Sequence, residues 1–526
     1  MSEEKRQTNK LRKTIQGRIK SSLSGFLRAF VVAMLVLLQF LILILLPFIL
    51  SSYTIYIYAI LELLSLIIII SLVNDNKSPS YKISWICIAL ILPFTGQIMY
   101  ALWGKSTSKK KIEERVLAKF RHGFSFLKQE DGIIEQFIEK YPSKARMPKY
   151  MRSEGFPLFK NNNLEYFPMA EDAFADMFDE LEKAEKFILI NFYIVAEGGL
   201  WDHFHEILTR KIKEGVEVLF LYDDFGAMLR TQKGFRHSLE EEGFQIRVFN
   251  PIHKYTDKLY MNYRSHEKIL VVDGNIGYTG GFNLADEYAN LINRFGEWKD
   301  NGIKVVGDAV WGLTVTFFQM WEASGSGNFI NYDKYRPTAK FEQNDGFCQV
   351  ISDGPANNPN NPIENVYQQM ISYSNEFLYI TTPYLIIEDN MKELLVVAAK
   401  SGVDVRIITP YIPDKKNVKY LTNYNYGYLL QNGVRIYEYK PGFIHAKTII
   451  NEDSAIVGTI NMDYRSFYLQ YECGVFMAEE KIVDTIKKDL LSTMDECVEV
   501  TYEEWKNRPL WLKARQSVLN MFSTLM

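Results

Sequence analysis

The sequence predicts an α/β protein whose catalytic part is a duplicated domain, preceded by an N-terminal membrane-helix segment. Three observations predict it. Apolar stretches crowd the first hundred residues, helix-and-strand patterns alternate after them, and each half of that alternation carries its own His-x-Lys. At 526 residues the chain has room for two or three folded units. With 47% hydrophobic residues it can bury a large core. A net charge of −3 gives no electrostatic pointer to nucleic acid. Cys87, Cys348, Cys473 and Cys497 are scattered without metal-ligand or disulfide spacing, as in a reducing compartment.

The N-terminal part reads as a basic head followed by an anchor. Residues 1–28 carry Lys5, Arg6, Lys10, Arg12, Lys13, Arg18, Lys20 and Arg28. Ala29–Leu50 then runs without charge, at about the length that spans a hydrocarbon core as helix. Ile55–Val73 is a second such stretch, interrupted by Glu62. Ile83–Trp103 is a third, broken by Pro93 and Gly96, so residues 29–104 are expected to form the anchor, with the third segment spanning or re-entrant. The absence of a small-residue cleavage pattern argues against a removed signal peptide. The basic head and the basic run Lys105–Arg115 both favour the cytoplasmic side. Two crossings plus a re-entrant third segment satisfy both, and place the catalytic part in the cytoplasm.

The remainder repeats itself, in halves expected at 115–340 and 345–500. Phe174–Ala184 has helical spacing and leads into the apolar run Phe187–Ile190, and Val366–Tyr373 leads into Phe377–Ile380 in the same way. Lys213-Glu-Gly-Val-Glu-Val-Leu-Phe-Leu221 is matched by Lys400-Ser-Gly-Val-Asp-Val-Arg-Ile-Ile408, a helix ending at glycine followed by a strand. Glu242–Val248 is matched by Asn432–Glu438. Such alternation argues for mostly parallel sheets covered by helices. Polar Ser324–Asn344 reads as the link. Residues 501–526 read as a C-terminal helix, with aromatic, aliphatic and basic residues interleaved as at a membrane interface. The aromatics of Tyr255–Tyr263 suggest a lipid-contact loop.

The chemistry repeats at equivalent places. The first half has Ser265-His266-Glu267-Lys268, then Asp273, then Gly280-Gly281-Phe282-Asn283. The second has Ile444-His445-Ala446-Lys447, then Glu452-Asp453, then Gly458-Thr459-Ile460-Asn461. In a strand His and Lys two apart share one face. The glycines are expected to let backbone approach a ligand, and the asparagines to add neutral donors. Two lysines and two amides converging on a phosphodiester would stabilise the charge spread over its oxygens in the transition state without a metal or other cofactor. One imidazole can attack phosphorus while the other moves the proton. A lone His-x-Lys is usually an ordinary surface pair; the matched second copy makes the pattern specific. His122, His203, His205, His237 and His253 have no such partners.

At these residues the chain resembles the phospholipase D superfamily, over about residues 160–500. Trp85…Pro93…Gly96…Tyr100…Gly104, Gln349–Pro355, Tyr379–Tyr384 and Asn461–Ser466 resemble the bacterial cardiolipin synthases within it. The resemblance implies two mixed sheets flanked by helices, related by a pseudo-twofold axis. It implies His266 as nucleophile and His445 as general acid/base, with Lys268, Asp273, Lys447 and Glu452 completing the motifs. It implies phosphate binding by Asn283 and Asn461, and a carboxylate on each histidine's far nitrogen, for which Glu287 and Glu472 stand at plausible positions. It further implies phosphatidylglycerol and membrane lipids as partners, and transfer of a phosphatidyl group between two phosphatidylglycerols. The second motif departs from the pattern: Glu452 stands where Asp is usual, Asp453 follows, and the turn to Gly458 is shorter. Which acid fills the role is open at this point. A hydrolase, another transphosphatidylase, a nuclease and a non-enzymatic membrane scaffold remain alternatives.

Overall fold

In the computed structural model, residues 54–104, 110–251, 263–325, 329–339, 346–357 and 360–525 are described, with isolated positions at 34, 37, 41 and 327. The basic head, nearly all of the apolar segment Ala29–Leu50, the basic run after Gly104 and most of the Tyr255–Tyr263 loop lie outside the described residues. The chain divides into two compact units. One comprises Met1–Ile112, Tyr255–Leu259 and Ser517–Met526; the other comprises Glu113–Lys254 and Tyr260–Gln516.

In the first unit, Thr54–Val73 is a helix of apolar side chains that are largely exposed. Among the described residues it is the one helix long and apolar enough to cross a membrane. Helix Pro79–Ile91 has 13 residues, short of the roughly 20 needed to span. The chain breaks at Leu92 and Pro93, turns through the short helix Thr95–Met99, and ends in a wide turn at Tyr100–Gly104. The expected third segment is therefore a broken one. Gln97 holds the break against the long helix by donating to the Leu61 carbonyl (2.7 Å) and the Ser65 hydroxyl (2.9 Å). The end of the chain belongs to this unit. Phe522 and Leu525 pack on Leu72, Trp85, Ile88 and Tyr100, and the Ser84 hydroxyl donates to the Met521 carbonyl (2.7 Å) and meets the Thr524 hydroxyl (3.0 Å).

The second unit holds both repeats. The first half supplies strands β1 (Asn162–Phe167), β2 (Phe187–Phe192), β3 (Glu217–Asp223), β4 (Gln245–Phe249), β5 (Arg264–Ser265), β6 (Ile269–Val272), β7 (Ile276–Gly280), β8 (Glu297–Lys299) and β9 (Gly302–Gly307). The second supplies β10 (Phe347–Asp353), β11 (Phe377–Thr381), β12 (Asp404–Pro410), β13 (Arg435–Tyr439), β14 (Gly442–Ile444), β15 (Thr448–Asn451), β16 (Ala455–Gly458), β17 (Gln470–Ala478) and β18 (Cys497–Val500).

The first sheet runs β1-β9-β7-β6-β2-β3-β4, and the second runs β10-β17-β16-β15-β11-β12-β13-β18. Apart from the added edge strand β18, the order is the same, so the repeat read from sequence is a repeat of topology. The sheets are mixed. Along these two strand orders β2-β3-β4 and β11-β12-β13 are parallel and the other neighbours, including the hairpins after each His-x-Lys, are antiparallel. The expectation of mostly parallel sheets from the alternation is corrected here: each motif closes on itself as a tight hairpin, β6–β7 and β15–β16, which antiparallel pairing requires.

Central strands such as β2 and β11 are buried at every residue and read as continuous apolar runs, as strands covered on both faces must. Helix Ala170–Glu182 buries Ala170, Ala173, Phe174, Met177 and Leu181 on one stripe. Gly215 and Gly402 take left-handed φ of +96° and +97° where helices end before β3 and β12. There Val216 and Val403 return hydrogen bonds to Lys211 and Ala398, which close the helix ends. Helix Val310–Ala323 is buried almost all round and packs on β2, β6 and β10, so it ties the halves together.

The decisive topological feature is a reciprocal crossing. Strand β5, just before His266, leaves its own sheet and pairs with the start of β17 of the second half, Arg264 opposite Gln470 and Ser265 opposite Tyr471. Strand β14, just before His445, pairs with β8 of the first half. Each histidine is thereby delivered to the other half.

Candidate active site

The crossing fixes the backbone of both histidines. The His266 N–H donates to the Tyr471 carbonyl (2.8 Å), and the His445 N–H donates to the Lys299 carbonyl (2.7 Å). The residue after each acceptor holds the ring. Glu472 accepts from Nδ1 of His266 at 2.9 Å, and Asp300 accepts from Nδ1 of His445 at 2.6 Å. Both carboxylates are fully buried. With Nδ1–H held in this way, Nε2 of each ring is left for chemistry.

Glu472 thus stands where the sequence placed an orienting carboxylate. Glu287 does not. Its carboxylate is paired with Arg230 and Arg294, and Asp300 occupies the position equivalent to Glu472. The reason is a loop. After the helical turn Asp286–Ala289, matched in the second half by Tyr464–Tyr468, the chain adds a bend over 290–296, so the equivalent acid lies farther from Asn283 than Glu472 does from Asn461.

The glycine pair has a different role from the one expected. A Cβ at Gly281 would sit 1.9 Å from Asp300 Oδ1, so that glycine makes room for the carboxylate that holds His445. At the equivalent place the second half has Thr459, whose hydroxyl donates to Glu472. Ser466 Oγ donates to the other Glu472 oxygen at 2.6 Å. Cβ atoms at Gly280 and Gly458 would strike the backbone of the neighbouring strand at 2.3 and 2.4 Å. The close approach is therefore between strands of the protein itself.

Lys268 and Lys447 are both buried, and each donates to the carbonyl of its own motif histidine, Lys268 at 2.6 Å. Lys447 Nζ also stands 2.9 Å from Nδ1 of His445. Burial pushes the Lys268 ammonium down to about 7 and the Lys447 ammonium down to about 8. Each lysine lowers the other or its neighbouring histidine, and Glu472 and Asp300 pull the lysines back up. Burial, then Lys268, Lys447 and His445, hold His266 well below the ordinary imidazole range. Burial and Lys447 bring His445 to about 4, against the pull of Asp300. Groups of both halves therefore act on the same two rings.

Asn283 Oδ1 accepts from the Ile194 N–H (2.9 Å), which fixes its amide as a donor beside the Tyr288 hydroxyl. Asn461 is buried at the matching position, with its Oδ1 without a partner among the described residues. Tyr193 flanks His266, and Tyr288 flanks His445, with ring centres 5.1 and 5.5 Å away.

Asp273 and Glu452 are not near the reacting groups. Asp273 lies at the far end of β6 and accepts from the backbone N–H of Glu185, Lys186 and Phe187 at 2.8–2.9 Å. Glu452 does the same for Asn375 and Glu376, with Lys144 as a further donor at 2.9 Å. Asp273 and Glu452, expected from the resemblance to complete the catalytic motifs, instead pin the turn that enters the central strand. Glu452 rather than Asp453 fills the second motif's acidic place, since among the described residues the Asp453 carboxylate meets Lys144 at 3.7 Å and accepts from no backbone N–H at the strand entry. Asp300 was missed in the sequence because its partner His445 is brought to it by the crossing strand, whereas Thr459 and Ser466 serve Glu472 within their own half.

Comparison with known proteins agrees with this architecture. Residues 177–293 and 367–494 match the family described as cardiolipin synthase, phospholipase D-like domain, and residues 63–105 match a phospholipase D-nuclease N-terminal family. An uncharacterized protein of Streptococcus mutans is 34% identical over 87% of this chain and 99% of its own length. A cardiolipin synthase of Listeria welshimeri is 32% identical over 86% of this chain and 95% of its own. The crystal structure of the phosphatidylserine synthase of Haemophilus influenzae shares the fold at 14% identity and a TM-score of 0.56, covering 73% of this chain and 97% of that one. Two motif-bearing repeats, an apolar N-terminal segment and relatives matched over nearly their whole length agree: the chain belongs to the cardiolipin synthase family of phospholipase D-like enzymes.

Proposed function

We propose that the protein transfers a phosphatidyl group from one phosphatidylglycerol to another, releasing glycerol and forming cardiolipin. The observation that carries this is the crossed pair His266–Glu472 and His445–Asp300, with a buried lysine beside each histidine. Neutral His266, its Nδ1–H given to Glu472, attacks phosphorus through Nε2. The P–Nε2 bond forms as the bond to the glycerol oxygen breaks, and His445 gives that oxygen its proton. The hydroxyl of a second phosphatidylglycerol then returns a proton to His445 and attacks phosphorus, and the P–Nε2 bond breaks. Lys268, Lys447, Asn283 and Asn461 stabilise the charge on the non-bridging oxygens.

The electrostatics favour this division of labour. Asp300 is held below the usual carboxylate range by Lys447 and His445 despite its burial, so His445 keeps an ionised partner able to support imidazolium. Glu472 is raised by burial, and Lys268, Ser466 and Thr459 pull it back toward the carboxylate that accepts from Nδ1–H of a neutral His266. An arriving phosphodiester brings negative charge that offsets the two lysines and raises His445 toward the protonation its acid role needs.

Thr54–Val73 and the broken segment after it support membrane anchoring, and the basic flanks support a multi-pass anchor with the catalytic unit on the cytoplasmic side. Incubating the purified protein in phosphatidylglycerol vesicles and separating the lipids tests the activity. Cardiolipin with free glycerol is expected. Phosphatidic acid as the main product indicates a hydrolase, and no product indicates a scaffold; either outcome overturns the reading. Proteolysis in sealed inside-out vesicles is expected to digest the catalytic unit, and digestion in intact cells instead contradicts the orientation.

A further inference from the structure

The acid that does not hold a histidine holds two arginines instead. Glu287 is buried, and its Oε1 accepts from Arg230 and, at 2.9 Å, from Arg294. The guanidiniums are not buried with it: the Arg230 and Arg294 side chains are 26% and 46% exposed. One carboxylate against two guanidiniums leaves a surplus positive charge, fixed in position by a buried anchor. Guanidinium stays charged throughout the working pH range and matches phosphate geometry.

The pair is placed beside the site. Tyr288, next in sequence to Glu287, faces His445, and Phe295, next to Arg294, packs on Phe443, which faces His445 in turn. The charge of Arg230 acts on both Tyr193 and Tyr288, the two rings that flank the two histidines. Neither arginine takes part in the proposed transfer.

Resting on the proposed reaction, we infer that Arg230 and Arg294 bind the phosphate of the acceptor lipid. The two motif lysines serve the phosphate under attack. A phosphatidylglycerol acting as acceptor carries a second phosphodiester, one glycerol away from the hydroxyl that attacks. Without a cation there, two anions and a charged transition state would repel one another. Cations anchored on Glu287, next to the Tyr288 ring that flanks His445, hold the second phosphate where its hydroxyl reaches His445. Glu287 is the positioning residue for both.

The test separates acceptors with and without a phosphate. The same enzyme is given phosphatidylglycerol alone, forming cardiolipin, or phosphatidylglycerol with labelled free glycerol, forming labelled phosphatidylglycerol by exchange. In Arg294→Ala the ratio of cardiolipin formation to glycerol exchange is expected to fall by about tenfold. Arg294→Lys is expected to recover part of it, and Glu287→Gln to raise the KM for phosphatidylglycerol more than it lowers kcat. Arg294 lies in an exposed loop, which keeps the test open if Arg230→Ala does not fold. An Arg294→Ala ratio equal to wild type overturns the subsite. Wild-type protein that exchanges glycerol but forms no cardiolipin overturns the proposed function itself.

Discussion

His266, from the first half of the chain, is held at 2.9 Å by Glu472, from the second half. Asp300 and His445 repeat the relationship in the opposite direction at 2.6 Å. Neither half therefore carries a complete histidine–carboxylate pair of its own, and neither can be catalytic alone. Glu472→Gln and Asp300→Asn keep the volume but lose the charge that fixes the tautomer. Each is expected to lower kcat by roughly 10²-fold or more with thermal stability nearly unchanged. Loss of activity in proportion to loss of folded protein would instead mark these acids as structural.

Asp273 and Glu452 should behave in the opposite manner. Each satisfies backbone N–H groups at the entry to a central strand. Asp273→Ala and Glu452→Ala are expected to cost about 2–3 kcal/mol each in denaturant unfolding, because several donors are left unpaired. The specific activity of the remaining folded protein should change less than about threefold, well below the range ascribed to a general acid or base. A drop in kcat with unchanged stability would contradict the assignment.

The lysines predict an alkaline limit. Burial lowers Lys268 to about 7, with Lys447 adding to the shift and Glu472 and Asp300 opposing it, and lowers Lys447 to about 8, against Asp300, Glu472, Asp463 and Asp414. As pH rises through that window the free enzyme loses phosphate-binding charge, so kcat/KM is expected to fall between about pH 7 and 8. A bound phosphodiester favours the ammonium forms, so the limit on kcat should lie at higher pH than the limit on kcat/KM. Coincident limits, or none below pH 9 by direct titration, would contradict this.

The chain's end is part of the anchor unit. Ser84 and Thr524 meet at 3.0 Å between hydroxyls. Ser84→Cys combined with Thr524→Cys is expected to form a disulfide on mild oxidation in native membranes, visible as a gel shift abolished by reductant. Phe522→Asp, which places a charge against the apolar cluster of Trp85 and Ile88, should suppress it. Equal cross-linking of a cysteine placed at the exposed Leu510 would show that the contact is not specific.

Much of this was legible in the sequence, and what was not has a common cause. The repeat, the motif pairs and the alternation of helix and strand along each half follow from local patterns such as Val216–Leu221 and Val403–Ile408. Glu472 could be named because it follows Asn461 closely. Asp300 could not, because the loop that carries Arg294 displaces it, and Glu287 fell at the nearer distance. One comparison would have found it: in Glu297-Trp298-Lys299-Asp300 and in Gln470-Tyr471-Glu472 the acid stands two residues before a glycine, Gly302 and Gly474. The mixed pairing was hidden because β6 and β15 are four residues each, too short for periodicity to give direction. The crossing of β5 and β14 is wholly non-local and leaves no local trace.

The most direct measurement is capture of the covalent intermediate. His445→Asn, given phosphatidylglycerol labelled in the phosphate, is expected to accumulate an acid-labile, base-stable label that maps to the peptide containing His266. His266→Ala should accumulate none and form no cardiolipin. Label on the peptide containing His445, or full turnover by His266→Ala, would contradict the account.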